Sequence, residues 1–210
     1  TSDMLLMLDE MGEVNGKEAG DVVYMLANEG GKQRAGRNGE ARTRKTWRCS
    51  LLSTGEITLA EKMNEVGLRP MAGQEVRLVN IPMDAGAGYG CFDSLRQFSK
   101  PEVFAEAIKE AAATHYGTAG RTFLEKLTSE RASDAEALRS VIRDIVRAFT
   151  QEALPDGSGS GQVASVARRF ALAAAAGELA TSYSILPWKY GEATQAALTC
   201  FRVWPDERGS

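Results

Sequence analysis

The sequence predicts an α/β fold for about its first 90 residues and an all-α fold for the rest of the chain. Short apolar segments in the first part alternate with stretches of helical spacing, which is the order of parallel strands joined by crossover helices. After Gly90 the apolar residues recur only at helical spacing. Residues 1–90 and 91–210 are therefore expected to form separate domains.

Composition excludes several classes of protein. The chain has 210 residues with 25 Lys and Arg against 28 Asp and Glu, a net charge of −3, and a hydrophobic content of 43%. These values are ordinary for a soluble globular protein and exclude a disordered or collagen-like chain. The longest apolar-rich run, residues 170–180, is shorter than the roughly 20 residues of a membrane span. The three cysteines and one histidine lack zinc-site spacing, so we expect a reducing cytoplasmic setting.

The α/β part is predicted to contain three strands. Residues 4–8 are continuously apolar, as in a parallel strand that is buried on both faces. Residues 47–54 and 75–81 predict the second and third strands. Helical spacing over residues 17–28 and about 58–65 supplies the crossover helices between them.

The helical part begins after a glycine-rich connection at residues 84–90. Ser133 and Glu136 have the spacing of a capping box and predict a helix that begins there and runs to about Phe149. Residues 155–161 are rich in glycine and serine and predict a flexible break. The remaining predicted helices span residues 101–115, 162–183 and 192–201.

Two adjacent carboxylates, Asp9 and Glu10, follow the first predicted strand. The carboxyl ends of parallel strands line the crevice in which ligands of open α/β sheets bind. In P-loop nucleotide hydrolases a carboxylate at this point holds Mg²⁺, and a neighbouring glutamate can orient the attacking water. We therefore expect Asp9 to be a metal ligand and both acids to be catalytic, although many apolar strands end in acids that have no such role.

Ser53 and Thr54 follow the second predicted strand and should lie at the same edge of the sheet. A hydroxyl group there can contact the γ-phosphate and position water. Serine and threonine are equally favoured as ordinary helix N-caps, so a local structural role is the alternative for both residues.

Residues 32–48 are strongly basic, with seven cationic residues and one acid, Glu40, whereas residues 1–31 carry seven acids and one base. Such a segment can contact nucleic-acid phosphates, which makes binding weaken with salt, or donate an arginine to the phosphates of a neighbouring subunit. A solvated charged loop is the alternative. The basic residues are Lys32, Arg34, Arg37, Arg42, Arg44, Lys45 and Arg48.

Three further arginines are candidates. Arg77 lies in the third predicted strand, where it is either a finger that reaches a neighbouring subunit's nucleotide or an ion-paired residue on the sheet face. Arg168 and Arg169 lie on a predicted helix, from which they either reach phosphates as part of a lid or remain solvated.

The 210 residues contain no phosphate-binding loop of the GxxxxGK[ST] type. Residues 15–18, Asn-Gly-Lys-Glu, lack both the glycine spacing and the hydroxyl residue. If the chain belongs to a nucleotide hydrolase, its phosphate loop is expected to precede residue 1. The bare apolar strand at residues 4–8 also favours a piece of a longer protein.

Several strings of residues, taken in order, resemble the domain of unknown function 927 family, helicase-like ATPases of phages, plasmids and integrated elements. They are LMLDEMGE (6–13), VYMLAN (23–28), LSTGE (52–56), AGQEVRL (72–78), HYGTAG (115–120) and RFAL (169–172). The resemblance implies a P-loop ATPase core that acts in DNA replication of mobile elements. It implies that Asp9 and Glu10 are the acids that bind Mg²⁺ and orient the attacking water, and that Ser53 and Thr54 sense the γ-phosphate. It also implies that Arg77 is a candidate arginine finger.

The sequence thus predicts a fragment of a DNA-associated ATPase, in which residues 1–90 are the later part of a P-loop core and residues 91–210 a helical lid or assembly domain. ATP and Mg²⁺ would bind the full-length protein, with Ser53, Thr54, Arg168 and Arg169 near the nucleotide. DNA and a homo-oligomeric ring are the expected partners, and the fragment alone is expected to be inactive. The alternatives are a non-catalytic DNA-binding or regulatory ATPase-like module and a structural helical interaction domain.

Overall fold

The computed structural model describes residues 4–31, 45–69, 71–155, 157 and 160–207. The chain divides into two compact units, Thr1–Asn80 and Ile81–Ser210. Each unit is considered by itself.

The first unit contains a two-stranded parallel sheet and short helices. Strand β1 (Met4–Leu8) pairs in parallel with β2 (Cys49–Ser53), so that Met4 lies opposite Cys49 and Leu8 opposite Ser53. The helices are a 3₁₀ turn (Met11–Glu13), α1 (Gly16–Ala27), α2 (Leu59–Asn64) and α3 (Ala72–Glu75). The first two predicted strands and both crossover helices are therefore confirmed.

The third predicted strand, residues 75–81, is wrong. Glu75 ends α3, and the backbone N–H groups of Arg77 and Leu78 both donate to the carbonyl of Gln74, 3.0 and 3.1 Å away. Gln74 is buried, and its side chain accepts from the N–H of Met71 and donates to the carbonyl of Gly20. The alternating apolar residues of this segment therefore belong to a helical turn that is fastened to α1.

Within the described residues, β1 is not covered on both faces as a middle strand of a parallel sheet would be. Met4, Leu5 and Met7 are 63%, 53% and 67% exposed. Among the described residues of this unit the apolar cluster lies between the helices, at Ala19, Val23, Leu59 and Met63, with Leu78 packed against it. A two-stranded sheet has too few neighbours to cover both faces of its strands.

Helices α1 and α2 pack closely because two glycines lie one turn apart on α1. A Cβ atom at Gly16 would overlap the backbone carbonyl of Lys62 on α2. One at Gly20 would lie 3.0 Å from the side chain of Met63 on α2 and 2.8 Å from Nε2 of Gln74 on α3. Helix α2 begins with a capping box, in which the Thr58 hydroxyl accepts from the N–H of Glu61 and the Glu61 carboxylate accepts from the N–H of Thr58. The hydrogen bond that the Thr58 N–H donates to the carboxylate, with a further contribution from the Thr58 side chain, lowers the pKa of Glu61.

Replacing Gly16 with Ala should lower the free energy of unfolding by roughly 1–3 kcal/mol, because the added methyl group forces α1 away from the backbone of α2. Urea denaturation measures this change. The matched control is Gly120→Ala on an exposed helix, where a Cβ atom meets nothing within 4 Å. Equal stability of the two variants would contradict the close contact.

The second unit is helical. Its elements are α4 (Pro101–Thr114), α5 (Thr118–Ser133), α6 (Ala135–Ala153), α7 (Gly161–Ser182) and α8 (Glu192–Glu207). Helices α6, α7 and α8 pack together, whereas α4 and α5 contain no buried residue. No helix in the described ranges is long and apolar enough to cross a membrane. The largest buried apolar side chains are Phe149, Val166, Leu198 and Trp204.

Most predicted helices of this unit are confirmed, but the capping box at Ser133 is wrong. Ser133 is the last residue of α5, a helix that the sequence did not predict, and Asp134 is the N-cap of α6. The Asp134 carboxylate accepts from the N–H groups of Glu136 and Ala137. The predicted break at residues 155–161 falls partly outside the described residues.

Glu178 is a buried acid, only 1% exposed, that joins α7 to the start of α8. One carboxylate oxygen accepts from the N–H and the hydroxyl of Thr194, at 2.9 and 2.8 Å, and the other accepts from the N–H of Gly191 at 2.8 Å. Its neighbour Gly177 allows this approach, because a Cβ atom there would lie 2.5 Å from that of Ala193. The carboxylate thus satisfies backbone donors in the first turn of α8.

Tyr183 joins the end of α7 to α5. Its hydroxyl donates to the Glu130 carboxylate at 2.6 Å, and its ring lies 5.9 Å from that of Phe123. Burial and the Glu130 carboxylate raise the pKa of Tyr183 to about 12. The folded state therefore holds this phenol proton at a pH at which an unfolded tyrosine, with a pKa of about 10, has lost it.

Replacing Tyr183 with Phe should lower the free energy of unfolding by about 1 kcal/mol at pH 8, because the hydrogen bond to Glu130 is lost. The advantage of the native protein should shrink as the pH rises from about 10 to 12, since the unfolded tyrosine ionises first. Urea titrations across this range measure the difference. Tyr116→Phe, at a residue that is 79% exposed, is the control and should show no such loss.

Candidate functional site

The residues that follow the two strands meet at one edge of the sheet. The N–H of Thr54 donates to the carbonyl of Leu8 at 3.1 Å, which continues the parallel pairing one residue beyond β2. Asp9 and Glu10 follow Leu8 directly. The structure thus brings Thr54 next to Asp9 and Glu10, although Thr54 follows these acids by 45 and 44 residues in the sequence.

A single hydroxyl group connects these residues. Thr54 Oγ1 donates its proton to Oδ1 of Asp9 at 2.7 Å and accepts from the backbone N–H of Glu10 at 3.1 Å. Asp9 is exposed and Glu10 is half-buried. The second oxygen of Asp9 and the carboxylate of Glu10 are oxygen ligands of the kind that Mg²⁺ prefers.

Glu10 has an unusual backbone conformation. Its φ of 50° lies in the left-handed region, and its carbonyl accepts from the N–H of Glu13 as the chain enters the 3₁₀ turn. The Glu10 carboxylate lies close to Gly12, since a Cβ atom on that glycine would be 2.8 Å from Oε1 of Glu10. Such a conformation is uncommon outside glycine and occurs preferentially at functional sites.

Ser53 is not part of this hydrogen-bond network. It is half-buried at the end of β2, and its hydroxyl donates to the backbone carbonyl of Thr54 at 3.2 Å. Of the two predicted sensor hydroxyls, only that of Thr54 contacts the acids.

Arg77 lies in the turn after α3 and contacts α1. Its guanidinium donates to the carbonyl of Gly73 at 2.6 Å and to the side chain of Asn28 at 3.1 Å, and lies 4.9 Å from the centre of the Tyr24 ring. The prediction that placed Arg77 within a strand is wrong, because the segment is a turn that follows α3. These contacts fasten α3 to the last turn of α1.

Replacing Arg77 with Lys should lower the free energy of unfolding by about 1–2 kcal/mol, because an ammonium group cannot make both hydrogen bonds and stack on the ring. Chemical denaturation of the variant measures this loss. Arg69→Lys, at an exposed arginine, is the matched control. A stability equal to that of the control would show that the contacts of Arg77 do not hold α3 in place.

The other predicted cationic residues lie elsewhere or outside the described residues. Arg168 and Arg169 are exposed on α7 in the second unit. Lys45 and Arg48 are exposed in the first unit. The predicted nucleic-acid residues that lie outside the described residues are Lys32, Arg34, Arg37, Arg42 and Arg44.

Backbone hydrogen bonds join the residues that precede the basic segment to those near its end. The N–H of Gly31 donates to the carbonyl of Lys45 at 2.9 Å, and the N–H of Trp47 donates to the carbonyl of Glu29 at 3.0 Å. The indole of Trp47 also donates to the carbonyl of Leu26, near the end of α1. Gly31, which precedes the segment, and Lys45 and Trp47 near its end are thereby held beside α1.

The acids at the sheet edge do not form a complete metal site. Within the described ranges, no group of three or more His, Cys, Asp or Glu residues could hold a metal ion. A cation at Asp9 would need further ligands, such as phosphate oxygens and water, which is how proteins commonly bind Mg²⁺.

Sequence reasoning missed the role of Gly12. The residue was part of a recognised string, but no pattern indicated that its missing side chain leaves room for the Glu10 carboxylate. A glycine two residues after an acid at the end of a strand is the only signal that the sequence offers.

Comparison with known proteins gives a match for one part of the chain. No curated protein and no solved structure matches it. A family model described as a domain of unknown function (DUF927) matches residues 1–46, which include β1, the two acids, Gly12 and α1. Over these residues, which contain the strings at 6–13 and 23–28, the chain is similar to that family. The other four strings of the resemblance lie outside the match.

Proposed function

We propose that this chain is part of a DNA-associated, helicase-like ATPase that acts in the DNA replication of mobile elements. The observation that carries the proposal is the hydrogen-bond network of Thr54, Asp9 and Glu10 at the carboxyl edge of two parallel strands. This is the edge at which open α/β sheets bind ligands. The DUF927 model matches residues 1–46, which include both acids, and the resemblance of the sequence to that family implies the same function.

In this proposal the two acids have different roles. Asp9 is exposed and would hold Mg²⁺, which neutralises charge on the nucleotide phosphates. Glu10 would orient the water that attacks the γ-phosphate. Glu10 is half-buried, and its carboxylate lies beside Gly12.

The phosphate-binding loop would come from sequence outside these 210 residues, which contain no GxxxxGK[ST] string. The sheet offers a place for further strands and helices. Leu5 and Leu52, which are 53% and 52% exposed, lie with Met7 on one face of it. Parallel sheets normally have both faces covered, so the exposed apolar face favours a larger sheet.

DNA would be bound by the basic residues 32–48. Their positive charge contrasts with the negative charge of residues 1–31. The backbone hydrogen bond from Gly31 to Lys45 joins the chain before the segment to the residues near its end. Phosphate contacts of this kind weaken steeply as salt is added. The helical unit would serve as a lid or assembly domain in a homo-oligomeric ring.

A second candidate is a non-catalytic DNA-binding or regulatory ATPase-like module. The observation that favours it is the position of Arg77, whose guanidinium is bound to Asn28 and Gly73 of its own unit. A finger for a neighbouring subunit's nucleotide would have to give up these contacts.

Glu10→Gln should abolish ATP hydrolysis by the longest natural polypeptide that contains these residues, while ATP binding is retained. The loss in kcat should be roughly 100-fold or more, as for removal of a general base. Hydrolysis is measured with and without single-stranded DNA. Glu13→Gln, at an exposed acid three residues away, is the matched control.

Unchanged turnover in Glu10→Gln would overturn the assignment. Binding of single-stranded DNA without any ATP hydrolysis by the native polypeptide would favour the non-catalytic module. Failure to bind any nucleic acid at low salt would instead favour a helical interaction domain.

A further inference from the structure

We infer that Thr54 and Gly12 are positioning residues that determine the orientation of Asp9 and Glu10, the two acids at the sheet edge. This inference rests on the proposed function and deepens it. Thr54 fixes the carboxylate of Asp9 and the backbone of Glu10, and Gly12 leaves the space that the Glu10 carboxylate occupies. Thr54 thus acts through the acids, and does not contact the γ-phosphate as a sensor.

The hydrogen-bonding capacity of the Thr54 hydroxyl decides between these two roles. A hydroxyl group has one proton to donate and two lone pairs. The proton goes to Asp9 at 2.7 Å, and one lone pair accepts from the N–H of Glu10 at 3.1 Å. A phosphate oxygen needs a donated proton, and the Thr54 hydroxyl has no second one to give.

The conformation of Glu10 depends on this hydroxyl. With φ at 50°, Glu10 is in the left-handed region that non-glycine residues rarely adopt. The hydrogen bonds that hold it there are the one from its N–H to Thr54 and the one from the N–H of Glu13 to its carbonyl. Loss of the Thr54 hydroxyl therefore frees Glu10 to leave this conformation.

Gly12 controls the side chain of Glu10 instead of its backbone. A methyl group at Gly12 would lie 2.8 Å from Oε1, which is the far end of a flexible side chain. Gly12 is not in the left-handed region, so alanine fits its backbone. Gly12→Ala should therefore move the carboxylate without unfolding the chain.

The first experiment uses the 210-residue chain and needs no activity. In Thr54→Val, amide exchange of Glu10 measured by NMR should be roughly tenfold faster than in the native chain, because its N–H loses its acceptor. Thr54→Ser keeps the hydroxyl and should restore the native rate. Gly12→Ala should leave this rate unchanged but shift the carboxyl ¹³C resonance of Glu10, which Gly120→Ala should not do.

The second experiment measures ATP hydrolysis by the longest natural polypeptide that contains the chain. Thr54→Val and Gly12→Ala should lower kcat by roughly 10- to 100-fold with little change in the KM for ATP. A displaced acid stabilises the transition state less well, whereas it contributes little to the binding of ATP. Thr54→Ser keeps the hydroxyl and should recover most of the kcat that Thr54→Val loses, whereas Gly120→Ala should keep the native kcat. Thermal unfolding checks that each variant is folded.

Several outcomes would overturn the inference. An unchanged Glu10 amide in Thr54→Val would show that Thr54 does not hold Glu10, and an unchanged carboxyl resonance in Gly12→Ala would remove the role of Gly12. A raised KM with a native kcat in Thr54→Val would instead show direct contact with the nucleotide. If the native polypeptide does not hydrolyse ATP, the proposed function fails, while the NMR measurements still decide whether the two residues position the acids.

Discussion

The parallel pairing of β1 with β2 is the constraint on which the first unit depends. It extends past the strands, since the N–H of Thr54 donates to the carbonyl of Leu8. This last bond decides which residues meet at the edge, because a shift of register by one residue would exchange the two faces of β2. Thr54 would then lie away from Asp9. The candidate site is therefore a product of strand register.

The sequence predicts an element correctly where the local pattern of residues is compatible with only one type of secondary structure. The unbroken apolar run of β1 and the helical spacing of α1 are of this kind. The alternation around Arg77 was misleading, because the buried side chain of Gln74 turns that segment into a helical turn. Residues 118–133 form a helix with few large apolar residues, namely Phe123, Leu124 and Leu127, so no apolar stripe marks it in the sequence.

The candidate site was predictable only in part. That Thr54 would lie near Asp9 follows from the rule that parallel strands end at the same edge of a sheet. The contacts of Arg77 with Asn28 and Tyr24 were not predictable, since they depend on how α3 folds back on α1. The left-handed backbone conformation of Glu10 was not predictable either, because nothing in the sequence distinguishes this glutamate from one with an ordinary negative φ.

The buried carboxylate of Glu178 has a consequence for the uniqueness of the helical packing. Near this acid the two helices meet through small residues, since a Cβ atom on Gly177 of α7 would lie 2.5 Å from that of Ala193 of α8. A slide of α8 by one turn along α7 would remove this close fit. Such a slide would separate Glu178 from the donors of Gly191 and Thr194 and leave a charge buried without partners. The hydrogen bonds of this acid therefore disfavour other alignments of α8 on α7.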